Sequence, residues 1–122
     1  MDTFQRETRA HADKLERDSG LIHGDFNQHN IVVARPFPGA PYALAGVLDL
    51  GDCHRAPRLF ELALTAAYMA MTSGNVSAVA DVLTGYSERR PVAAWAVNLL
   101  KVSGSCLLVP LVPLIYLRFG LS

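Results

Sequence analysis

The first eighteen residues are polar, with apolar side chains only at wide intervals. Phe4, Glu7/Thr8 and Leu15 fall roughly on one stripe at helical spacing, which predicts a solvated helix with a thin buried edge. Ser19-Gly20 ends that helix, glycine being common just past a helix terminus. Short apolar runs bounded by turns come next. Leu21-Ile22 leads into His23-Gly24-Asp25, and the β-branched run Ile31–Ala34 predicts a short buried strand. Residues 35–41 hold three prolines and one glycine in seven positions, a turn signal. Tyr42–Leu50 then reads as the return strand of a β-hairpin with a stiffened loop. From Leu59 to Met71 the chain is apolar on almost every side, which predicts a helix buried all round. Ser73-Gly74-Asn75 stops it, and Val76–Tyr86 reads as an amphipathic helix with Asp81 outward. After the polar joint Glu88–Pro91, a third helix is expected from Val92 to about Val109. The pattern predicts an α+β fold: a helix, a hairpin, then a helical bundle.

Composition narrows this. The chain has 122 residues, one domain's worth, and is 51% hydrophobic with mean hydropathy +0.22, enough to fill a core. Lys+Arg and Asp+Glu are 11 each, so no cationic excess marks a dedicated nucleic-acid binder. Cys53 and Cys106 are the only cysteines, which speaks against a disulfide-stapled secreted domain and for a reducing compartment. The charged start lacks the apolar core of a secretion signal, so a cytoplasmic location is expected. Val102–Leu117 carries no charge over sixteen residues, short of the ~18–20 that span a bilayer. Pro110 and Pro113 interrupt it, and no membrane span is expected there.

The informative segment is His23-Gly24-Asp25-Phe26-Asn27-Gln28-His29-Asn30, followed by Asp49-Leu50-Gly51-Asp52. Protein kinases write a catalytic loop as H-R-D-x-x-x-x-N and a metal loop as D-F-G; here the same spacing reads H-G-D-x-x-x-x-N and D-L-G. Phosphoryl transfer needs a carboxylate to orient the attacking hydroxyl and accept its proton. It also needs oxygen ligands for Mg²⁺, which prefers carboxylates and amide carbonyls. Asp25 suits the first task. Asn30, five residues on, and Asp49, brought alongside by the hairpin, suit the second. Gly51 is expected to allow the tight turn after Asp49.

LIHGDFNQHNIVV and GVLDLGDCHRAPRLFELA resemble the C-terminal lobe of the aminoglycoside phosphotransferase / choline kinase-like superfamily. Within it, HGDFNQHNIVV, GVLDLGD and FELALTAAYMAM are most similar to the hydroxylysine kinase branch. The resemblance covers roughly residues 4–108. It implies a protein-kinase-like C-terminal lobe, with Asp25 as catalytic base and Asn30 and Asp49 as Mg²⁺ ligands. It implies a γ-phosphate donor, GTP or ATP, and an alcohol acceptor such as 5-hydroxy-L-lysine. Asp52 is placed beside the metal loop, and Glu61 where the superfamily puts an acid that braces the catalytic loop. A helix-N-terminal charge is the other reading of Glu61. His23 is expected to hold the loop by hydrogen bonds and His29 to face solvent. His54, Arg55 and Arg58 follow the metal loop, as phosphate or substrate contacts or as plain surface residues.

The superfamily's N-terminal lobe, with its phosphate-covering loop and strand lysine, has no counterpart here. Lys14 and Lys101 are the only lysines, and neither sits in a Val-Ala-x-Lys-like strand. Residues 1–108 are therefore expected to form a partial catalytic domain, residues 109–122 a divergent apolar tail. The chain alone is expected to be inactive. Two rival readings stand beside this one. The first is a non-catalytic truncated isoform that acts by binding. The second is a non-haem metal site of His23, Asp25 and His54, which predicts a β-rich barrel where residues 59–109 read as helical.

Overall fold

A computed structural model of the chain describes the backbone of residues 3–103 and the side chains of residues 5–100. The expected helix end near Val109, the Val102–Leu117 run and the 109–122 tail lie outside the described residues, as does the Phe4 side chain. Two short helices open the chain, α1 (Thr3–Ala10) and α2 (Ala12–Arg17), broken at His11. Only Leu15 of α2 is buried, as the thin stripe predicted. Ser19-Gly20 does more than stop the helix. Ser19 donates its hydroxyl to the Leu15 carbonyl at 3.0 Å and starts strand β1 (Ser19–Ile22). The hairpin follows as β2 (Ile31–Ala34) and β3 (Ala43–Val47). Strand β4 (His54–Pro57) precedes α3 (Arg58–Ser73), α4 (Ser77–Arg89) and α5 (Ala94–Ser103).

Among the described residues the strands form two separate two-stranded antiparallel sheets. In the hairpin, Ile31 faces Val47 and Val32 faces Gly46, then a bulge shifts the register so that Val33 faces Leu44. The Arg35 guanidinium lies 4.1 Å from the Tyr42 ring centre across the turn end, a cation–π contact. The second sheet pairs β1 with β4, Ser19 opposite Pro57 and Ile22 opposite His54. This pairing was not expected from the sequence. It is pinned by Arg58, which donates to the carbonyls of Asp18 and Ser19 at 3.3 Å and lies over Gly20, where a side chain would collide with it.

The core lies where α3, α4 and α5 meet, around Leu59, Leu62, Val79, Leu83 and Leu99. Gly74, in the left-handed region at φ 62°, ends α3 as the sequence indicated. Two expectations are corrected. Helix α3 buries one face (Leu59, Leu62, Thr65, Ala66) and leaves the rest half-exposed, although its composition is apolar all round. Strand β2 is exposed beyond Ile31, with Val33 54% and, opposite it, Leu44 61% accessible. Apolar composition states what can be buried; here no described element covers that hairpin face. Asp18 pairs with Arg90 at 3.2 Å and Arg58 at 3.7 Å, tying α2 to the helices. Burial, and then the Asp18 carboxylate, push the Tyr86 phenol above its ordinary 10.0.

Candidate active site

Helix α3 and the end of the hairpin both hydrogen-bond to the His23–Asn30 loop. Glu61, in the first turn of α3, accepts the backbone N–H of His23 with one carboxylate oxygen and that of Gly24 with the other, at 3.2 Å for Gly24. One turn further along the same face, Thr65 donates its hydroxyl to the Phe26 carbonyl at 3.0 Å. These two side chains hold the backbone on either side of Asp25. The His23 ring is buried and fully committed. Its Nδ1 accepts the Asp25 N–H at 3.2 Å, which leaves Nε2 as the protonated nitrogen that donates to the Leu48 carbonyl at 2.7 Å. His23 therefore has no nitrogen to offer a metal. Among the described residues no group of three or more His, Cys, Asp or Glu gathers as a metal site either. Both observations contradict a His23–Asp25–His54 triad.

The Asp25 carboxylate is held by two amides. Asn27 Nδ2 donates to Oδ1 at 2.8 Å, and Asn30 Nδ2 reaches Oδ2 at 3.3 Å and the Asp25 carbonyl at 2.9 Å. Asn27 also caps the 3₁₀ turn Gln28–Asn30 by accepting the His29 N–H at 2.9 Å. Since the Asn30 nitrogen is spent on Asp25, its amide oxygen is the group left to face a cation. The hairpin carries Asp49 to the same place, because Leu48 N–H donates to the Asn30 carbonyl at 2.8 Å. Asp49 follows at once. It is the one non-glycine residue with positive φ among the described residues (φ 57°, ψ 73°), a conformation aspartate tolerates better than most. The tight turn thus falls on Asp49 and not on Gly51, which the sequence had suggested. Asp49 is exposed, and its side chain caps nothing in the turn it opens. An amide oxygen and a free carboxylate oxygen suit a hard cation such as Mg²⁺, which takes few protein ligands and fills its shell with water and phosphate.

Gly24 brings the two loops into contact. It sits at φ +84°, and a Cβ built on it would lie 2.7 Å from the Asp52 carbonyl oxygen. Asp52 thus enters through its backbone, which also accepts from His54 Nδ1 at 2.8 Å, while its side chain is exposed. His29 is exposed. Arg55 pairs with Glu16 at 3.2 Å and Arg58 with Asp18, so both arginines serve the β1–β4 scaffold. A cavity of about 570 Å³ opens beneath the loop, lined by His23, Phe26, Met69, Val82 and Tyr86 among others. None of Asp25, Asn30 and Asp49 lines it.

Sequence reasoning missed Asn27 and Thr65. The first had a signal, an Asx residue just before a turn and two before the N–H it accepts. The second lies four residues after Glu61 and so on its helix face.

Over 53 residues the chain is 43% identical to "Hydroxylysine kinase" of Danio rerio, covering 43% of this chain and 15% of that one. Over 93 residues it is 34% identical to the Bos taurus protein of that name, covering 70% and 25%. The Xenopus laevis protein is 37% identical over 77 residues, covering 59% and 21%. The chain thus spans a quarter or less of these curated relatives. The crystal structure of an aminoglycoside-3'-phosphotransferase of type VIII superposes with a TM-score of 0.51 at 20% identity, over 82% of this chain and 48% of that one. That likeness establishes the protein-kinase-like α+β fold anticipated above. No helix among the described residues is long and apolar enough to cross a membrane. Residues 1–96 match the family described as "Phosphotransferase enzyme family", and the chain belongs to that family.

Proposed function

We propose that this chain supplies the base-and-metal half of a small-molecule kinase of the hydroxylysine kinase type. The supporting observation is the Asp25 carboxylate, fixed between Asn27 and Asn30 and set beside the Asp49 turn. In this reading Asp25 orients the acceptor hydroxyl and takes its proton as the oxygen attacks the γ-phosphorus. The bond to the β-phosphate oxygen breaks, and the nucleoside diphosphate leaves with the electron pair. Asn30 and Asp49 are the residues that hold Mg²⁺, which when bound neutralises charge on the phosphates. His23 and Glu61 keep the loop in place, and Asp52 positions the metal turn through its carbonyl. The donor is GTP or ATP, the acceptor a small alcohol such as 5-hydroxy-L-lysine. The partners are small molecules and not nucleic acid. The site of action is the cytoplasm, and residues 1–108 make up part of a catalytic domain, its C-terminal lobe, with 109–122 a divergent tail.

The test is transfer from γ-labelled GTP and ATP to 5-hydroxylysine, an aminoglycoside and choline. The chain is fused behind a nucleotide-covering lobe for this assay. Labelled 5-hydroxylysine, lost in Asp25→Asn, is the expected result. An assembly that binds Mg·GTP yet labels none of the three acceptors contradicts the reading.

A further inference from the structure

Asn27 is 6% exposed and makes two bonds of opposite sense. Its Oδ1 accepts the His29 N–H at 2.9 Å, and its Nδ2 donates to Asp25 Oδ1 at 2.8 Å. A backbone N–H can only donate and a carboxylate oxygen here can only accept, so the orientation of the amide is fixed by its partners. We propose that Asn27 is a positioning residue for Asp25: it immobilises Oδ1 and leaves Oδ2 as the atom that takes the acceptor's proton.

Three observations lead there. The two carboxylate oxygens are held unequally. Oδ1 has a short bond from a dedicated donor, while Oδ2 shares at 3.3 Å a nitrogen already bonded to the Asp25 carbonyl at 2.9 Å. Next, the backbone around Asp25 is fixed from another element, by Glu61 at His23 and Gly24 and by Thr65 at Phe26. At Asp25 itself, what Asn27 adds is therefore the setting of the carboxylate, since the backbone there is held by Glu61 and Thr65. Finally, the far end of Asn27 caps the turn that ends at Asn30. One buried amide thus ties the base to the turn that bears the candidate metal ligand.

The proposal rests on the reading of Asp25 as the base, and the test separates the two. In the lobe-complemented chain, Asn27→Ser keeps an oxygen for the His29 N–H, serine being a good cap, but is too short to reach Asp25. It is expected to retain the wild-type melting temperature and both KM values. Its kcat falls on the order of 10–100-fold, the scale that misplacing a catalytic group produces. Asn27→Ala loses kcat similarly and also melts lower. Full kcat in Asn27→Ser, with Asp25→Asn inactive, overturns the positioning role alone. Wild-type transfer by Asp25→Asn overturns the base reading and this proposal with it. A second measurement needs no activity. In the 122-residue chain the Asn27 side-chain amide protons should exchange slowly with water, and quickly in Asp25→Ala, while the His29 amide stays protected in both. Exchange of those protons at solvent rates in the wild type overturns the proposal.

Discussion

The purified 122-residue chain, given Mg²⁺, GTP or ATP and 5-hydroxylysine, is expected to turn over far below the ~1–100 s⁻¹ of an ordinary kinase. Catalysis of this kind is positioning plus electrostatic stabilisation, with little covalent chemistry from the protein. Asp25, Asn30 and Asp49 can provide the proton acceptor and the cation's ligands. Among the described residues, no candidate stands for a lysine on the phosphates or a loop that excludes water. Lys14 lies on α2 with its Nζ 5.5 Å from the centre of the Trp95 ring, and Lys101 belongs to α5, so neither is on a strand. Absence of a single preorganised contact to developing charge from the assay costs ~10²–10³ in rate, which sets the scale of the expected shortfall. Val33, Leu44, Leu48 and Leu50 are all at least half exposed along the hairpin and the metal turn, an apolar face of the sort that another polypeptide surface normally covers. Turnover in the ordinary range, abolished by Asp25→Asn, would show that the inventory is incomplete.

Gly24→Ala is expected to damage the site more than any other single methyl group. At φ +84° the backbone of an L-residue is strained by roughly 1–2 kcal/mol. The new Cβ would also stand 2.7 Å from the Asp52 carbonyl and 3.3 Å from the His54 ring. The nearer obstacle is backbone and cannot rotate away, so the two loops must part. A displacement of about 1 Å at a reacting group costs on the order of 10²-fold in rate. The check is a thermal melt of the 122-residue chain together with its amide spectrum. A lower midpoint and shifted signals at Leu48–His54 are expected. An unchanged midpoint with unshifted signals there contradicts the close approach.

The sequence announced some of this and concealed the rest for identifiable reasons. The hairpin was legible because a β-branched run, a proline-rich turn and a second apolar run occur in order. The α3 boundary was legible because Gly74 sits where a left-handed residue is needed. The 25/30 spacing and Asp49 marked the loops that the fold does bring together. Strand β4 was hidden, since His54-Arg55-Ala56-Pro57 has no alternation of apolar residues and is held by pairing with β1 and by Arg58. The structural employment of Arg55 and Arg58 was likewise invisible, because their partners Glu16 and Asp18 lie about forty residues away. Residue type points to Gly51 for the tight turn at the metal loop, whereas the positive φ falls on Asp49. Burial was overestimated on the hairpin and on α3 for one reason: periodicity reports an apolar face but not whether anything covers it.

The most direct measurement is a titration of Mg·GTP and Mg·ATP into the lobe-complemented chain and its Asp25→Asn and Asp49→Asn variants. Asp25→Asn removes a proton acceptor and keeps the shape, so its nucleotide affinity should stay close to wild type while transfer is lost. Asp49→Asn removes a cation ligand, and its affinity should fall by about 10–100-fold or more, since even a supporting partner of a metal ligand is worth that much. Equal weakening of the metal–nucleotide complex in both variants contradicts the division of labour between Asp25 and Asp49.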